Sequence, residues 1–478
     1  MRKGYITIFL SLSLTLILSL VFTVIEGARI SAIRMKFECV TDIGMNSVLA
    51  EYNRELLKQY DLLFVDMAYG SGKPSVANAE EHLRNYVQKN LNGQKNGNFL
   101  KVRDFLSMQI DSVEITACSI ASDEEGGVLK RQISDYMDDY PTGYLIGKIT
   151  ENLAQMDSSG MESRDTAGER EGYQAQIEAI GLPEQEVEEG VFEEVPLDNP
   201  ADAANSTRSI GVLNLVVEDV SSISTVKVPL TQYISGRTPM RGNGICREAA
   251  QISSTPNDML FLAYLFQKCG YYGQEKENSL LQYQIEYMIA GKDTDWQNLE
   301  QTAKRLLRWR EAANVLYILT DAAKIAEAEA MALALTAVML SPALAEPVKY
   351  TILYAWAYVE SLQDVKILLR GGRVPIFKTS ADWRTGINSL RDVRGSLTDA
   401  GDNGRGLSYK EYLEIMLFLT NDHDRTFRAM DIMEMDIRKT PGNSGFRIDG
   451  CFDAFRAKLS VSSTFGYRYE MERLYGFY

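Results

Sequence analysis

A Gly-Ser-Gly-Lys tetrad at residues 70–73 has residue types that could bind phosphate. A phosphate-binding loop needs another glycine five residues before its second one, and Met67 stands there. Pro74 follows the lysine, where the motif requires Ser or Thr. We therefore expect the tetrad to form a turn.

Residues 399–411 contain the oxygen-bearing side chains of a calcium-binding loop. If the loop starts at Asp399, Gly401 takes the third position and Lys410 the twelfth, where a bidentate acidic ligand is needed. This register excludes a calcium loop. The segment predicts a loop before a helix, with Ser408 as the N-cap.

The chain has only two histidines, His82 and His423, which limits histidine-based triads and metal sites. Residues 421–424 (Asn-Asp-His-Asp) crowd ligand types together, but such a run between two helices more often caps a helix than binds an ion. Paired carboxylates of a glycoside hydrolase stay open, since their pairing is spatial. We predict no catalytic residue, no cofactor and no metal ligand.

The five cysteines show no CxxC pair and indicate neither a disulfide framework nor a zinc site: Cys39, Cys118, Cys246, Cys269 and Cys451.

The 478-residue chain has a formal charge of −15, which argues against nucleic-acid binding. Residues 157–208 carry a net −11 of that charge. This segment is poor in aromatic side chains, so we predict a disordered acidic linker. Binding of cations or of a basic partner surface is the alternative.

Residues from Tyr5 to Ile25 form 21 positions without a charge, about 31 Å of helix, which can span a bilayer. Arg2 and Lys3 also suit a signal peptide, but the apolar run is long for one and Glu26 stands near the cleavage position. We predict a retained single-pass anchor. A body of this size translocates largely regardless of flanking charge, so we place it outside the membrane.

The helical pattern continues beyond the anchor without a proline before Pro74, so one helix to about residue 65 is predicted. Its apolar and small residues step by three and four, which indicates a helix-packing seam. The seam could pack on the protein's own body or on a partner helix. Its members are Ile30, Ile33, Phe37, Val40, Gly44 and Ser47.

The N-terminus, with residues 4–9, 26–29, 41–42 and 48–50, resembles the N-terminal helix of the TadE/TadG-like minor pseudopilins of tight-adherence (Flp) pilus assembly. Processed pseudopilins carry a glutamate early in the apolar run, and Phe9 stands there in this chain. The resemblance therefore implies an uncleaved anchor that works beside pilin-like membrane proteins.

The whole chain also resembles an uncharacterised family of clostridial membrane proteins associated with such pilus clusters, and this resemblance implies an origin in the Firmicutes. That resemblance implies a location and neighbours but no activity. It is carried by residues 49–52 (Leu-Ala-Glu-Tyr), 355–357 (Ala-Trp-Ala), 360–362 (Glu-Ser-Leu), 371–372 (Gly-Gly), 407–409 (Leu-Ser-Tyr) and 412–413 (Tyr-Leu).

Periodicity predicts the body's elements. Strands are expected at 110–120, 210–217, 226–233, 280–289, 446–452 and 461–471. Helices are expected after 123 and at 294–316, 322–340, 348–369, 409–419 and 426–438. Residues 330–345 are uncharged, but their shortness and Pro342 favour a buried helix pair over a second span. Phe465, Tyr467 and Tyr469 alternate as on a strand face, with a glycan platform as the alternative.

Together these features predict a mainly helical α+β protein with a long transmembrane helix that continues into an extracytoplasmic globular body. The predicted parts are an anchor and extended helix (1–65), a small α+β part (66–156), the acidic linker (157–208) and the main body (209–478). We expect a non-enzymatic structural or accessory protein of pilus or envelope assembly, with the lipid bilayer and pilin-like proteins as partners. The alternatives are a cell-envelope hydrolase with paired carboxylates and a ligand-sensing surface domain.

Overall fold

The computed structural model describes residues 2–91, 106–138, 143–188, 191–243, 255–397 and 404–477. The helices are α1 (Arg2–Leu49), α2 (Arg54–Tyr60), α3 (Val76–Leu91), α4 (Asp123–Met137), α5 (Gly143–Ser159), α6 (Thr166–Ile180), α7 (Pro200–Ser206), α8 (Val212–Val216), α9 (Thr255–Lys268), α10 (Gln284–Ala290), α11 (Asp295–Ile318), α12 (Ala322–Val338), α13 (Ala345–Leu369), α14 (Val393–Ser396), α15 (Tyr409–Phe418) and α16 (Asp422–Arg438). The strands are β1 (Val65–Asp66), β2 (Gln109–Ile120), β3 (Glu184–Glu188), β4 (Val191–Glu194), β5 (Arg373–Val374), β6 (Leu407–Ser408), β7 (Cys451–Ser462) and β8 (Arg468–Gly476).

This content confirms the predicted α+β class and the long apolar helix before a globular body. The chain divides into two compact units. Unit 1 comprises Met1–Tyr136, Thr231–Ile252 and Met433–Tyr478, and unit 2 comprises Met137–Leu230 and Ser253–Ile432. The division differs from the predicted contiguous parts because the C-terminal strands pair with a strand near the N-terminus, which periodicity cannot show.

Unit 1 is built on an antiparallel sheet whose central strand is β7. Strand β7 pairs with β2 along one edge and with β8 and β1 along the other. The pairs Val113↔Leu459 and Leu459↔Met471 fix the register across the three long strands. The second half of α1 and helix α3 pack on this sheet and bury one apolar core.

Helix α1 ends at Leu49 and not near residue 65, so that boundary was wrong. The Asn53 side chain accepts hydrogen bonds from the backbone N–H groups of Glu55 and Leu56, at 3.1 and 3.0 Å, and begins α2. An asparagine that caps a new helix competes with continuation of the old one.

Unit 2 is organised around α13, in which every residue from Thr351 to Leu369 is buried. Helices α6, α7, α11 and α12 pack against it. The predicted helices at 294–316, 322–340, 348–369, 409–419 and 426–438 are confirmed as α11, α12, α13, α15 and α16, with small shifts at their ends.

The strands predicted at 210–217, 226–233 and 280–289 were wrong. Residues 212–216 form α8, residues 226–233 lack a strand among the residues described, and residues 284–290 form α10. The Glu300 carboxylate on α11 accepts hydrogen bonds from the backbone N–H groups of Val212 and Leu213, both at 3.0 Å. A residue distant in sequence therefore caps the start of α8. Such long-range caps override local β-propensity.

The predicted disordered linker also differs from the structure, because α6, β3, β4 and α7 lie within residues 157–208. Asp165 caps α6 through the N–H of Gly168. The ring of Tyr173 stacks on Tyr350 of α13 with centroids 4.4 Å apart. The acidic composition of this segment did not indicate that one face of α6 packs on α13.

The strand at 110–120 and the helix after 123 are confirmed by β2 and α4. The C-terminal strands lie at Cys451–Ser462 and Arg468–Gly476, so Phe465 stands in the turn between them rather than on a strand. Within the described residues, α1 is the one helix long and apolar enough to cross a membrane.

Candidate functional site

The first half of α1 exposes its apolar side chains. Between Tyr5 and Ile25 almost every side chain is exposed. The hydroxyls of Ser11, Thr15 and Thr23 donate to backbone carbonyls three or four residues earlier, at 2.8–2.9 Å. The three hydroxyl groups therefore donate their hydrogen bonds within the helix. Internal hydrogen bonds of this kind are required in lipid, which supplies no water.

The charged residues Glu26 and Arg29, directly after this apolar half, are hydrogen-bonded to each other, and Arg29 also binds the sheet of unit 1. Arg29 donates from Nε and Nη2 to the Glu26 carboxylate, at 2.8 Å each. Its Nη1 donates to Ser463 and Thr464, at 3.0 and 2.8 Å, and its Nη2 also reaches the Thr464 carbonyl at 2.9 Å. The turn between β7 and β8 is therefore fastened to α1 directly beyond the apolar residues.

The predicted packing seam lies in the second half of α1. Ile33, Phe37 and Val40 are buried, and Phe37 meets the ring of Tyr469 on β8 edge-on at 6.0 Å. Ile30 and Ser47 at the two ends are half-buried.

Gly44 completes the seam and lets α3 approach closely. A Cβ atom added at Gly44 would lie 2.7 Å from Cγ2 of Val87 and 3.3 Å from Cδ1 of Leu83. The seam could pack on the protein's own body or on a partner helix, and in the structure it packs on the protein's own body. The opposite face of α1 is open, with Met35 65% and Ile43 50% exposed.

Unit 2 contains an apolar cleft of about 610 Å³ between α5, α9 and α15. Leu153, Met156, Met259 and Phe418 contribute apolar surface, and the carboxylates of Asp157 and Glu162 also line it. A volume of this size suits a small ligand.

A second cleft of about 550 Å³ in unit 2 is polar and carries four arginines. Arg208 is held by the Glu311 carboxylate at 2.6 and 3.1 Å. Burial lowers the pKa of Arg305, whose guanidinium lies 5.0 Å from the Trp309 ring centre. The remaining arginines are Arg164 and Arg308. Neither cleft was foreseen, because its lining comes from separate chain segments.

The two histidines occupy different environments. His82 Nδ1 lies 3.0 Å from a Glu51 carboxylate oxygen, Tyr86 donates to the same carboxylate at 2.7 Å, and Tyr69 stacks on the imidazole at 3.8 Å. His423 lies in the first turn of α16, where the Asn421 side chain accepts a hydrogen bond from the backbone N–H of His423 at 3.0 Å. The predicted capping role of residues 421–424 is confirmed.

The other sequence candidates also resolve into turns and caps. Gly70 and Gly72 adopt φ angles of +81° and +70°, as a turn needs. Ser408 caps α15 in a reciprocal capping box with Glu411. Asp399 and Gly401 of the rejected calcium loop, and Cys246, lie outside the described residues. Within the described ranges, no group of three or more His, Cys, Asp or Glu side chains is arranged to hold a metal ion.

Several of the residues that carry the family resemblance lie in a buried polar network of unit 2. Glu360 accepts the backbone N–H of Thr385 at 2.8 Å and pairs with Lys378, which also lies 2.6 Å from Asp364. Arg310 donates to Asp364 at 3.0 Å.

Comparison with known families gives one match. The family model for DUF5702, a family of unknown function, matches residues 190–463, more than half of the chain. The chain belongs to DUF5702. The matched range includes α13 and its polar network, whereas α1 lies before it. No curated protein and no solved structure matches the chain.

Proposed function

We propose that this chain is a membrane-anchored, non-catalytic structural or accessory protein. The observation that carries the proposal is the division of α1 into an exposed apolar half and a half buried in the core of unit 1. Burial of one large aliphatic or aromatic side chain is worth about 1.5–3 kcal/mol. The fifteen exposed apolar or aromatic side chains between Tyr5 and Ile25 therefore favour transfer of this half into lipid.

The continuity of α1 supports a retained anchor. The helix passes from the apolar residues into the packed residues without a break, and the Glu26–Arg29 pair lies at the junction. A signal peptide is cut in an accessible segment beside its apolar region, whereas this junction is helical and tied to the β7–β8 turn. The body is then held close to the bilayer in one orientation.

An assembly role, as the pseudopilin resemblance implies, requires an open surface near the membrane. The seam is occupied by α3 and the sheet, so a pilin-like partner would meet the opposite face of α1, at Met35 and Ile43. We place the body on the extracytoplasmic side and the protein in a tight-adherence pilus or related envelope system of the Firmicutes. The net charge of −15 supports no nucleic-acid partner.

The apolar cleft favours a second candidate function, a body that senses a small ligand. Its lining carboxylates, Asp157 and Glu162, are also the place to test the hydrolase alternative. Cell-wall hydrolysis that survives D157N and E162Q separately would exclude these two groups as the acid and base.

Anchoring and sidedness can be tested at Cys39, which is exposed on α1 beyond the apolar residues, whereas Cys118, Cys269 and Cys451 are buried. In a C246S background, a membrane-impermeant maleimide added to intact protoplasts should label Cys39, and C39S should abolish labelling. The protein should stay in the membrane pellet after carbonate extraction. Release by carbonate, or labelling only after lysis, would contradict the proposal.

The assembly role can be tested by photocrosslinking in native membranes. A crosslinker at Met35 or Ile43 should give adducts to other membrane proteins, and one at buried Phe37 should give adducts only within the chain. Equal patterns at the three positions would remove the basis for a partner on this face.

A further inference from the structure

The turn between β7 and β8 exposes a large aromatic side chain in a strained position. Phe465 is 90% exposed and has a φ of +64°. Only glycine, and less readily asparagine, adopts this conformation without cost, and a bulky residue there is an outlier. The side chain buries little surface in its own body, so the stability of unit 1 does not explain it.

The position of Phe465 relative to α1 is fixed by Arg29. The guanidinium lies 5.3 Å from the centre of the Phe465 ring. Arg29 also donates to both residues before Phe465, Ser463 and Thr464. Its five N–H donors are all used within the protein, on Glu26, Ser463 and Thr464.

The contacts between α1 and β8 give a scale for distance from the membrane. Arg34 donates to Tyr467 at 2.7 Å, Phe37 meets Tyr469, and Arg473 lies 4.0 Å from Asp42. Strand β8 therefore runs along α1, away from its apolar half.

At 1.5 Å per residue, Arg29 lies about 6 Å beyond Ile25 along the helix axis. The headgroup layer on one side of a bilayer is about 5–7 Å thick. If the apolar half of α1 spans the hydrocarbon core, Phe465 lies at the depth of the headgroups.

We propose that the β7–β8 turn is a second membrane contact, in which Phe465 inserts into the interfacial layer of the phospholipid bilayer beside the anchor. This inference rests on the proposed anchoring of α1. Aromatic side chains favour this layer, where an apolar ring meets the edge of the acyl chains. Because the Arg29 donors are satisfied internally, insertion does not require anionic lipid.

The contact makes the anchored body touch the bilayer at two points, the helix and the turn. One helix alone would let α1 and unit 1 tilt together relative to the bilayer. A turn that enters the headgroup layer beside the helix limits this tilt.

The test uses the full chain in nanodiscs of phosphatidylcholine, with p-benzoylphenylalanine placed at one position at a time. Position 465 carries the proposal, position 16 lies within the apolar half of α1, and position 474 is the control. Leu474 is 40% exposed on the same hairpin, beside Arg473 at the level of Asp42, about 26 Å along the helix from Ile25. Lipid adducts are measured by mass spectrometry after irradiation.

Lipid adducts at positions 16 and 465, with about tenfold more at 465 than at 474, are the expected result. Adducts at 16 but no more at 465 than at 474 would overturn the second contact and leave the anchor standing. A lack of adducts at 16 would overturn the anchor and this inference together. Nanodiscs that include phosphatidylglycerol should give the same ratio, and a requirement for it would refute the role assigned to Arg29.

Discussion

Helices α1 and α13 are the long packed helices of the two units, and they differ in the charged side chains that they bury. The packed half of α1 contributes mainly apolar side chains and one close glycine contact to unit 1. Helix α13 carries Glu360 and Asp364 into the interior of unit 2, where Arg310 and Lys378 neutralise them. The packing around α1 should therefore respond mainly to changes in side-chain volume, and the polar network around α13 to loss of a charge or a hydrogen bond.

The largest effect is expected from R310M in unit 2. The change removes three short hydrogen bonds, to Asp364, the Pro375 carbonyl and Tyr412, at 2.9–3.0 Å. Removal of one partner from a buried charge pair costs about 3–5 kcal/mol. All four tryptophans lie in unit 2, so their fluorescence during urea unfolding reports this loss.

The matched control is R391M, because Arg391 pairs with Asp198 at 2.8 Å on the surface of the same unit. Exposed pairs add little to stability, so the urea midpoint should not move. Equal losses for R310M and R391M would mean that the buried network is not what stabilises unit 2.

A pH-dependent effect of intermediate size is expected from Glu286, which is fully buried and accepts from Tyr409 and from the N–H of Tyr272, at 2.9 and 3.0 Å. Burial raises the pKa of this carboxyl to about 7. The folded state therefore keeps a proton that the unfolded chain releases near its ordinary pKa of 4.5, so stability falls as the pH rises through this window.

The pH contribution should reach roughly 3 kcal/mol at neutral pH. In E286Q the side chain is neutral at every pH, so only the wild type should lose stability in this way as the pH rises. The urea midpoint of E286Q should therefore increase relative to that of the wild type from pH 4.5 to 7. A difference independent of pH would show that Glu286 ionises normally.

A smaller effect is expected from G44A in unit 1, because the new methyl group would lie 2.7 Å from Val87. Overpacking typically costs about 1–3 kcal/mol. V87A should recover much of the loss in the double variant, as measured by hydrogen exchange of α1 and α3 amides. If G44A is harmless, the close helix contact is not as described.

The smallest effect is expected from S408A, which removes the N-cap of α15. Loss of such a cap costs about 1 kcal/mol. S408D keeps an acceptor and should restore part of the urea midpoint. A midpoint that moves by the same amount in both variants would contradict a capping role.

Local features were the ones that sequence could predict. The long apolar helix, the seam, the Ser408 cap and most other long helices follow from periodicity and from capping residues that lie within one or two turns. Helix α6 was missed because segment-wide acidity outweighed the apolar face of Tyr173 and Ile177. Helix α8 was missed because its cap, Glu300, lies 88 residues further along the chain.

The position of Phe465 beside α1 was hidden for a related reason. Alternation placed Phe465 on a strand with Tyr467 and Tyr469, and nothing local shows that Arg29, more than 400 residues earlier, fastens the turn to α1. The sequence does contain a usable signal, an aromatic residue before Gly466 between two strand-like runs. Its meaning depends on the apolar N-terminus, which only the fold places beside it.

The pairing of β2 with β7 also sets an order of events during synthesis. Ser112 and Ser460 bond across these strands at a separation of 348 residues. Strand β2 is made early in translation, yet its partner β7 is made near the end. Unit 2 can fold in that interval, whereas β2 exposes open edges, which are prone to wrong pairing. A chain of this topology would gain most from a chaperone that covers β2 until β7 arrives.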